Sequence, residues 1–331
     1  MLLKINLLTV FLFSVLTSFA QTDTGEKNPT KLIKVSNKIY MLQGKGGNIG
    51  LSFGNDGIFM IDDQYAEGIE KIQEDIKKVS DKPIKFLVNT HFHGDHTGGN
   101  SALAKTGTVI FSQDNVRDRL QQMMRKETKK MTEDMLPVVT FQEDLTFHFN
   151  GEKIYVFHVH NAHTDGDAMV YFTGSNVLHT GDVFFNGKYP YIDVENGGDL
   201  IGYIDALEKA VSLINEDTKI IPGHGDIGNV KDLKKTIDML TTLYKRVTTA
   251  YISNKTEEEV LAMSEITQEF DAQGYGSGFI KTEDFVKLLY KEAAKGRSSI
   301  DQLEIKNKEA RLKVEQMQKE WNEKEKKKEK N

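Results

Sequence analysis

The sequence predicts an α/β fold in which two β-sheets are sandwiched between helical layers. Three observations lead there. Short apolar runs bounded by Gly-bearing turns alternate with amphipathic stretches. Those runs fall into two β-rich stretches, each followed by helices, which suits sheets that are covered on their outer faces. No repeat of solenoid or propeller period runs through the chain.

The elements follow in order. Residues 39–42, 57–61, 84–88, 108–111, 154–158, 168–172 and 176–179 have the length and β-branched or aromatic content of strands, and 219–221 is a shorter apolar one. Apolar residues at three- and four-residue intervals predict helices over 67–79, 115–126, 200–214 and 230–253. Further on, 256–264 and 283–294 read as helices joined by Gly274-Tyr275-Gly276-Ser277-Gly278. The last segment, 298–331, is a charged helix with an apolar stripe at Ile300, Leu303, Ala310, Val314, Met317 and Trp321, and Asn307 fills the remaining slot of a heptad-like seam. Two readings of it stay open: a solvated helix lying back on the domain, or a seam for homo-oligomers.

With 331 residues the chain has room for one large domain or two small ones. The expected division is a signal at 1–20, a loose leader at 21–31, a main domain at 32–253, a helical segment at 254–297 and the tail at 298–331. A net charge of −6 with dispersed signs gives no basic surface for nucleic acid. There is no cysteine, so disulfides and thiolate ligands are excluded and any metal must sit on histidine and carboxylate. Lys4, the apolar stretch 7–16 and Ser18-Phe19-Ala20 before Gln21 have the layout of a cleavable export signal. That stretch is short for a bilayer span and no lipidatable Cys follows. The mature protein is therefore expected in the periplasm or outside the cell, soluble and free of the membrane.

The densest chemistry lies in Thr90-His91-Phe92-His93-Gly94-Asp95-His96, on the loop expected at the carboxyl end of strand 84–88. Alternate residues of an extended segment point the same way, so His91 and His93 can share one cation. After a turn at Gly94, Asp95 and His96 can face a second. Four ionisable side chains in six residues would lack partners if buried, and a purely structural role leaves them unexplained. Three later residues follow strand candidates on Gly-assisted turns: His163 in Ala162-His163-Thr164, Asp182 in Thr180-Gly181-Asp182, and His224 in Pro222-Gly223-His224-Gly225. Alone, each would read as a solvated turn residue; the shared strand-end placement groups them. His148, in a strand, and His158 and His160 read as packing or surface, and so does His179, with support of the ligands as its alternative.

In that order these motifs resemble the metallo-β-lactamase superfamily, over about residues 32–253. The resemblance implies a four-layer αβ/βα sandwich with metals at one edge. It implies His91, His93 and His163 on a first metal, Asp95, His96 and His224 on a second, and Asp182 bridging. Asp62, ending strand 57–61, matches the family's supporting acidic position and would orient the histidine loop. His93 stands where the iron-dependent branch has Glu, which favours zinc, and the implied ligand set calls for two Zn²⁺ per chain.

The implied activity is hydrolysis of a small molecule, a metal-activated water attacking an amide, ester or thioester carbonyl, with a phosphoester the remoter case. Asp95 would orient the water and handle its proton. The turns around Thr90, Gly98-Gly99-Asn100, His163, His224 and Asn196-Gly197-Gly198-Asp199 are similar to the first subclass of true lactamases, so a β-lactam is the first expected substrate. That subclass has Cys at the position of Asp182 and a drug-anchoring Lys at that of Phe185. Asp as the bridge instead resembles lactonases and glyoxalase-II-like thioesterases. Asn196 is the oxyanion-loop candidate and Lys188 the candidate for reaching a substrate anion. A non-catalytic zinc-binding protein is the remaining class.

Overall fold

The computed structural model describes residues 29–126 and 131–295. The expected export signal and heptad-like tail lie outside the described residues. The first sheet runs in chain order: β1 (Lys31–Lys34), β2 (Ile39–Gln43), β3 (Ile49–Gly54), β4 (Gly57–Ile61), β5 (Ile84–Val88), β6 (Val109–Gln113) and β7 (Val139–Phe141). Its first four strands form an antiparallel meander, and β4 to β7 are parallel. Parallel neighbours need crossovers. These are supplied by α1 (Ile69–Lys77) and by the short helices α2 (Gly94–Thr97) and α3 (Asn100–Ala104); α4 (Asp114–Lys126) precedes β7.

The second sheet contains β8 (Asp144–Phe149), β9 (Glu152–His158), β10 (Ala168–Phe172), β11 (Val177–His179), β12 (Lys219–Ile221) and β13 (Gly228–Asn229), side by side in that order. Only β11 and β12 are parallel, and α5 (Leu200–Leu213) forms their crossover. α6 (Val230–Ile252), α7 (Glu257–Leu261), α8 (Gln268–Asp271) and α9 (Thr282–Ala294) complete the described chain. An Asn229–Asp232 capping box starts α6, satisfying amides that the helix itself cannot.

Three apolar layers hold this together. Between the sheets lie Met41, Phe59, Ile61 and Val88 from the first and Val156, Val170, Phe172 and Ile221 from the second. Leu51, Met60 and Leu87 turn the other way, onto Ile72 and Ile76 of α1 and Leu103 of α3. On the far side, Met169, Leu178 and Ile220 meet Leu207 of α5 and Leu240 and Leu243 of α6. The order is helix, sheet, sheet, helix. Val260, Phe285 and Leu289 belong to that last layer, so the segment beyond residue 253 shares the core of α5 and α6.

Strands expected at 57–61, 84–88, 168–172 and 219–221 have those bounds, and the others shift by one or two residues at an end. The helix expected over 256–264 stops at Leu261 and a 3-10 turn follows. β3 escapes the reading because Gly50 and Gly54 dilute its strand composition. Gly50 is required there: a Cβ would lie 2.9 Å from both His179 Cδ2 and Ile61 Cδ1. The edge strands β1, β7 and β13 are too short or too charged to register.

The sheets are also stitched near one edge. Ala168 N donates to Thr90 O (2.8 Å), Asn48 N to Gly223 O (2.7 Å) and Asn48 Nδ2 to Pro222 O (2.9 Å). The turns after β4, β5, β11 and β12 meet at this seam.

Candidate metal centre

All seven residues expected to ligate converge at that seam. Donor atoms of His91, His93 and His163 lie within 4.8 Å of one another; so do those of His91, His96 and Asp182, and those of Asp95, His96 and His224. Asp182 stands between the groups. Its Oδ2 is 3.9 Å from His91 Nε2, 3.6 Å from His163 Nε2 and 3.4 Å from His224 Nε2, and its Oδ1 is 3.1 Å from His96 Nε2. Asp95 Oδ2 is 3.3 Å from His224 Nε2 and 3.6 Å from His96 Nε2.

Not all of these atoms satisfy one another. His91 Nε2, His96 Nε2 and Asp182 Oδ1 are buried without a hydrogen-bond partner, even though the last two are 3.1 Å apart. Unpaired buried polar atoms of this kind are costly, and three aimed at common points fit cations held between them. Imidazole and carboxylate donors without sulfur suit a divalent metal ion.

Charge follows the same pattern. Burial holds His91 well below the ordinary histidine range and His163 down to about 4, so both rings are neutral and keep a lone pair for a metal. Burial also opposes charge on His96 and His224, but Asp182 overcomes it, raising His96 well above its usual value and His224 to about 9. Burial raises Asp182, and His96 and His224 more than reverse it, holding the carboxyl well below the usual range. Without an ion, the protons held on His96 and His224 are what answers the charge of Asp182, the part a cation between these residues would take.

The description matched by this chain over residues 47–224, more than half its length, is that of the metallo-beta-lactamase superfamily. The chain belongs to this superfamily.

Its similarities to curated proteins include two of their branches. A type 2 metallo-beta-lactamase of Bacillus cereus is 22% identical over 189 residues, 56% of this chain and 69% of that protein. A hydroxyacylglutathione hydrolase of Pelagibacter ubique is 29% identical over 114 residues, 34% of this chain and 41% of that protein. The chain thus spans less than half of the second relative's length. Among solved structures, the DIM-1 metallo-beta-lactamase superposes with a TM-score of 0.56 at 20% identity, covering 65% of this chain and 99% of that one. At that identity the likeness is one of fold.

Around the ligands, this superfamily member builds a second tier of contacts. Asp62, at the end of β4 with φ at 60°, accepts from Thr90 N and Thr90 Oγ1, each at 2.7 Å, and from His96 Nδ1 at 2.7 Å. A non-glycine residue in the left-handed region is strained, and the three bonds hold it there. Thr90 Oγ1 in turn lies 3.1 Å from His91 Nδ1, so Asp62 orients two rings at once. His163 Nδ1 donates to Tyr191 O at 2.8 Å. His179 does more than pack: its Nε2 donates to Asn48 O (2.9 Å) and its Nδ1 accepts from Gly181 N (3.1 Å), bracing the turn that presents Asp182.

Sequence reasoning missed Asp193. Its Oδ2 accepts from His93 Nε2 at 2.9 Å and from Asn196 Nδ2 at 2.8 Å, leaving His93 Nδ1 toward the centre, 2.9 Å from His163 Nε2. The local signal is a turn, Asp193 capping Asn196, and nothing in it points to a histidine so distant in sequence.

Two expected substrate contacts are occupied instead. Asn196 has one end on Asp193, and its Oδ1 accepts from Arg119 Nη1 at 3.1 Å; Arg119 also binds Asp165 Oδ2 at 2.6 Å. Lys188 donates to Gly274 O at 3.1 Å and Ser277 Oγ at 2.6 Å. The C-terminal segment lies against residue 188 and binds its ammonium. Phe185 is buried and stacks on His224, centroids 5.1 Å apart and planes at 15°.

Proposed function

We propose that this chain is an exported two-zinc hydrolase that cleaves a carbonyl bond, with a cyclic amide such as a β-lactam as its first substrate class. The observation that carries the reading is the convergence of seven ligand side chains with three buried donor atoms lacking partners. His91, His93 and His163 would hold one zinc and Asp95, His96 and His224 the other, with Asp182 between them. Bound there, the two ions would supply hydroxide at neutral pH and polarise the carbonyl.

The protein's own part is positioning and proton transfer. Asp95 is the more exposed of the two aspartates, at 21% against 5% for Asp182, and so faces the open side of the centre. Its carboxylate can take a proton from the attacking water and return it to the leaving atom. The water oxygen bonds to the carbonyl carbon, the bond to nitrogen breaks, and the proton goes to that nitrogen. Asp62 and Asp193 hold the rings that set this geometry.

Ester, lactone or thioester cleavage is the second reading, and specific features favour it. Asp182 rather than Cys would bridge the two ions, the resemblance puts Phe185 at the place of a lactamase anchor, and Lys188 is bonded to Gly274. Without a cation the substrate loses a charge-assisted contact of about 1.5–3 kcal/mol, which is roughly tenfold or more in affinity. The test is a panel of benzylpenicillin, a carbapenem, a lactone and an S-acyl glutathione on zinc-loaded protein. Lactone or thioester turnover orders of magnitude above every β-lactam would replace the first reading by the second. Bound zinc with no turnover across the panel would support the scaffold class.

Export rests on Lys4, the apolar stretch 7–16 and the small residues before Gln21. Protein recovered from outside the cytoplasm should have lost residues 1–20 by intact mass.

A further inference from the structure

The helical segment beyond residue 253 lies outside the span matched by the superfamily, yet it touches a ring that neighbours two of the candidate ligands. Phe279 is 82% exposed. A single exposed phenylalanine is ordinary, but this one has a specific neighbour. Its ring meets that of Tyr191 edge to face, centroids 6.0 Å apart, and the Tyr191 ring lies 5.8 Å from His93 and 5.6 Å from His163. An aromatic path thus leads from two ligand rings to an exposed apolar face.

We infer that Phe279 and Tyr191 form a wall of the substrate site that receives a neutral, apolar group of the substrate. The inference rests on the hydrolase reading and deepens it by naming what the substrate carries.

Two further features support it. The turn that bears Phe279 is pinned: Lys188 holds Gly274 and Ser277, Tyr189 N donates to Tyr275 O at 3.3 Å, and the Tyr189 ring stacks on Phe285 at 4.7 Å. A wall fixed in advance loses little freedom when it binds. The charges that act on the Tyr191 hydroxyl are also of the wrong sign for an anionic group. Asp193 and Glu195 are the charged groups that act on the Tyr191 hydroxyl, both acidic, and the Lys188 ammonium is already bonded. An apolar group is welcome there and a carboxylate is not.

The test is binding, independent of turnover, on zinc-loaded full-length protein and its Phe279→Ala variant. Thiols serve as probes because a thiolate ligates zinc and points its tail into the site. Calorimetry would compare ethanethiol, 2-phenylethanethiol and 3-mercaptopropionate. We expect 2-phenylethanethiol to bind about tenfold tighter than ethanethiol, and Phe279→Ala to remove most of that gap while leaving ethanethiol unchanged. An exposed side chain with no role in the site would change neither value. A gap that persists in the variant, tightest binding by 3-mercaptopropionate, or failure of every thiol to bind would each overturn the inference. If the gap depends on Phe279 but the substrate panel is inert, the wall stands and the hydrolase reading falls.

Discussion

Asp193 Oδ2 accepts the Nε2 proton of His93 at 2.9 Å, tying a predicted metal ligand to a carboxylate from the other half of the chain. Asn196 and, through it, Arg119 extend the contact to α4. The bond fixes both the tautomer and the tilt of the ring. Asp193→Ala should weaken metal binding at the three-histidine group by about 10–100-fold, with Asn196→Ala weaker in the same direction. Chelator competition on the two classes of bound metal reads this directly. Equal weakening at both groups would show a general loss of structure.

Asp182 lies within 4 Å of four ligand nitrogens, two on each side of the centre. Asp182→Ala should therefore lower metal content at both groups and turnover with it. One ion per chain in the native protein, unchanged by the substitution, would break the two-metal arrangement.

Gly47 is a steric condition of the site. A Cβ there would lie 2.1 Å from His96 Cε1 and 2.4 Å from His96 Nε2. The ring cannot yield without losing Asp62, so Gly47→Ala should eject His96 from its place. Metal at the Asp95–His96–His224 group should fall while the three-histidine group keeps its own. Undiminished binding at both would mean that the loop moves instead of the ring.

Away from the metals, burial lowers the pKa of His158, whose Nδ1 donates to Asp167 O at 2.7 Å. The unfolded chain takes up this proton near the ordinary value of about 6.5 and the folded chain only below it. Between those values the unfolded state binds more protons, so this contribution to stability falls as pH drops below about 6.5. His158→Gln should flatten the decline in urea midpoint between about pH 7 and pH 5, relative to the native protein. An unaltered slope would mean that the decline comes from other groups.

The sequence reading succeeds where chemistry is local. His91 to His96 fall within six residues, and Asp182 and His224 each follow a glycine, so strand ends and ligands were readable together. Central strands such as β4 and β5, apolar throughout or nearly so, were readable for the same reason. Asp193 was not, because its partner is far away in sequence and the stretch from 183 to 199 has no periodicity. The contacts of Lys188 with the C-terminal segment were not readable either, because that segment's position depends on the packing of Tyr189 against Phe285, a contact with no sequence signature.

The ligand set divides between the sheets: His91 to His96 follow β5 in the first, while His163, Asp182 and His224 lie on turns of the second. Neither half can offer a complete shell by itself. Tight metal capture must then wait until the two sheets have docked. Free metal would favour the finished molecule over its partly folded precursors, and loss of the ion would first loosen the seam between the halves.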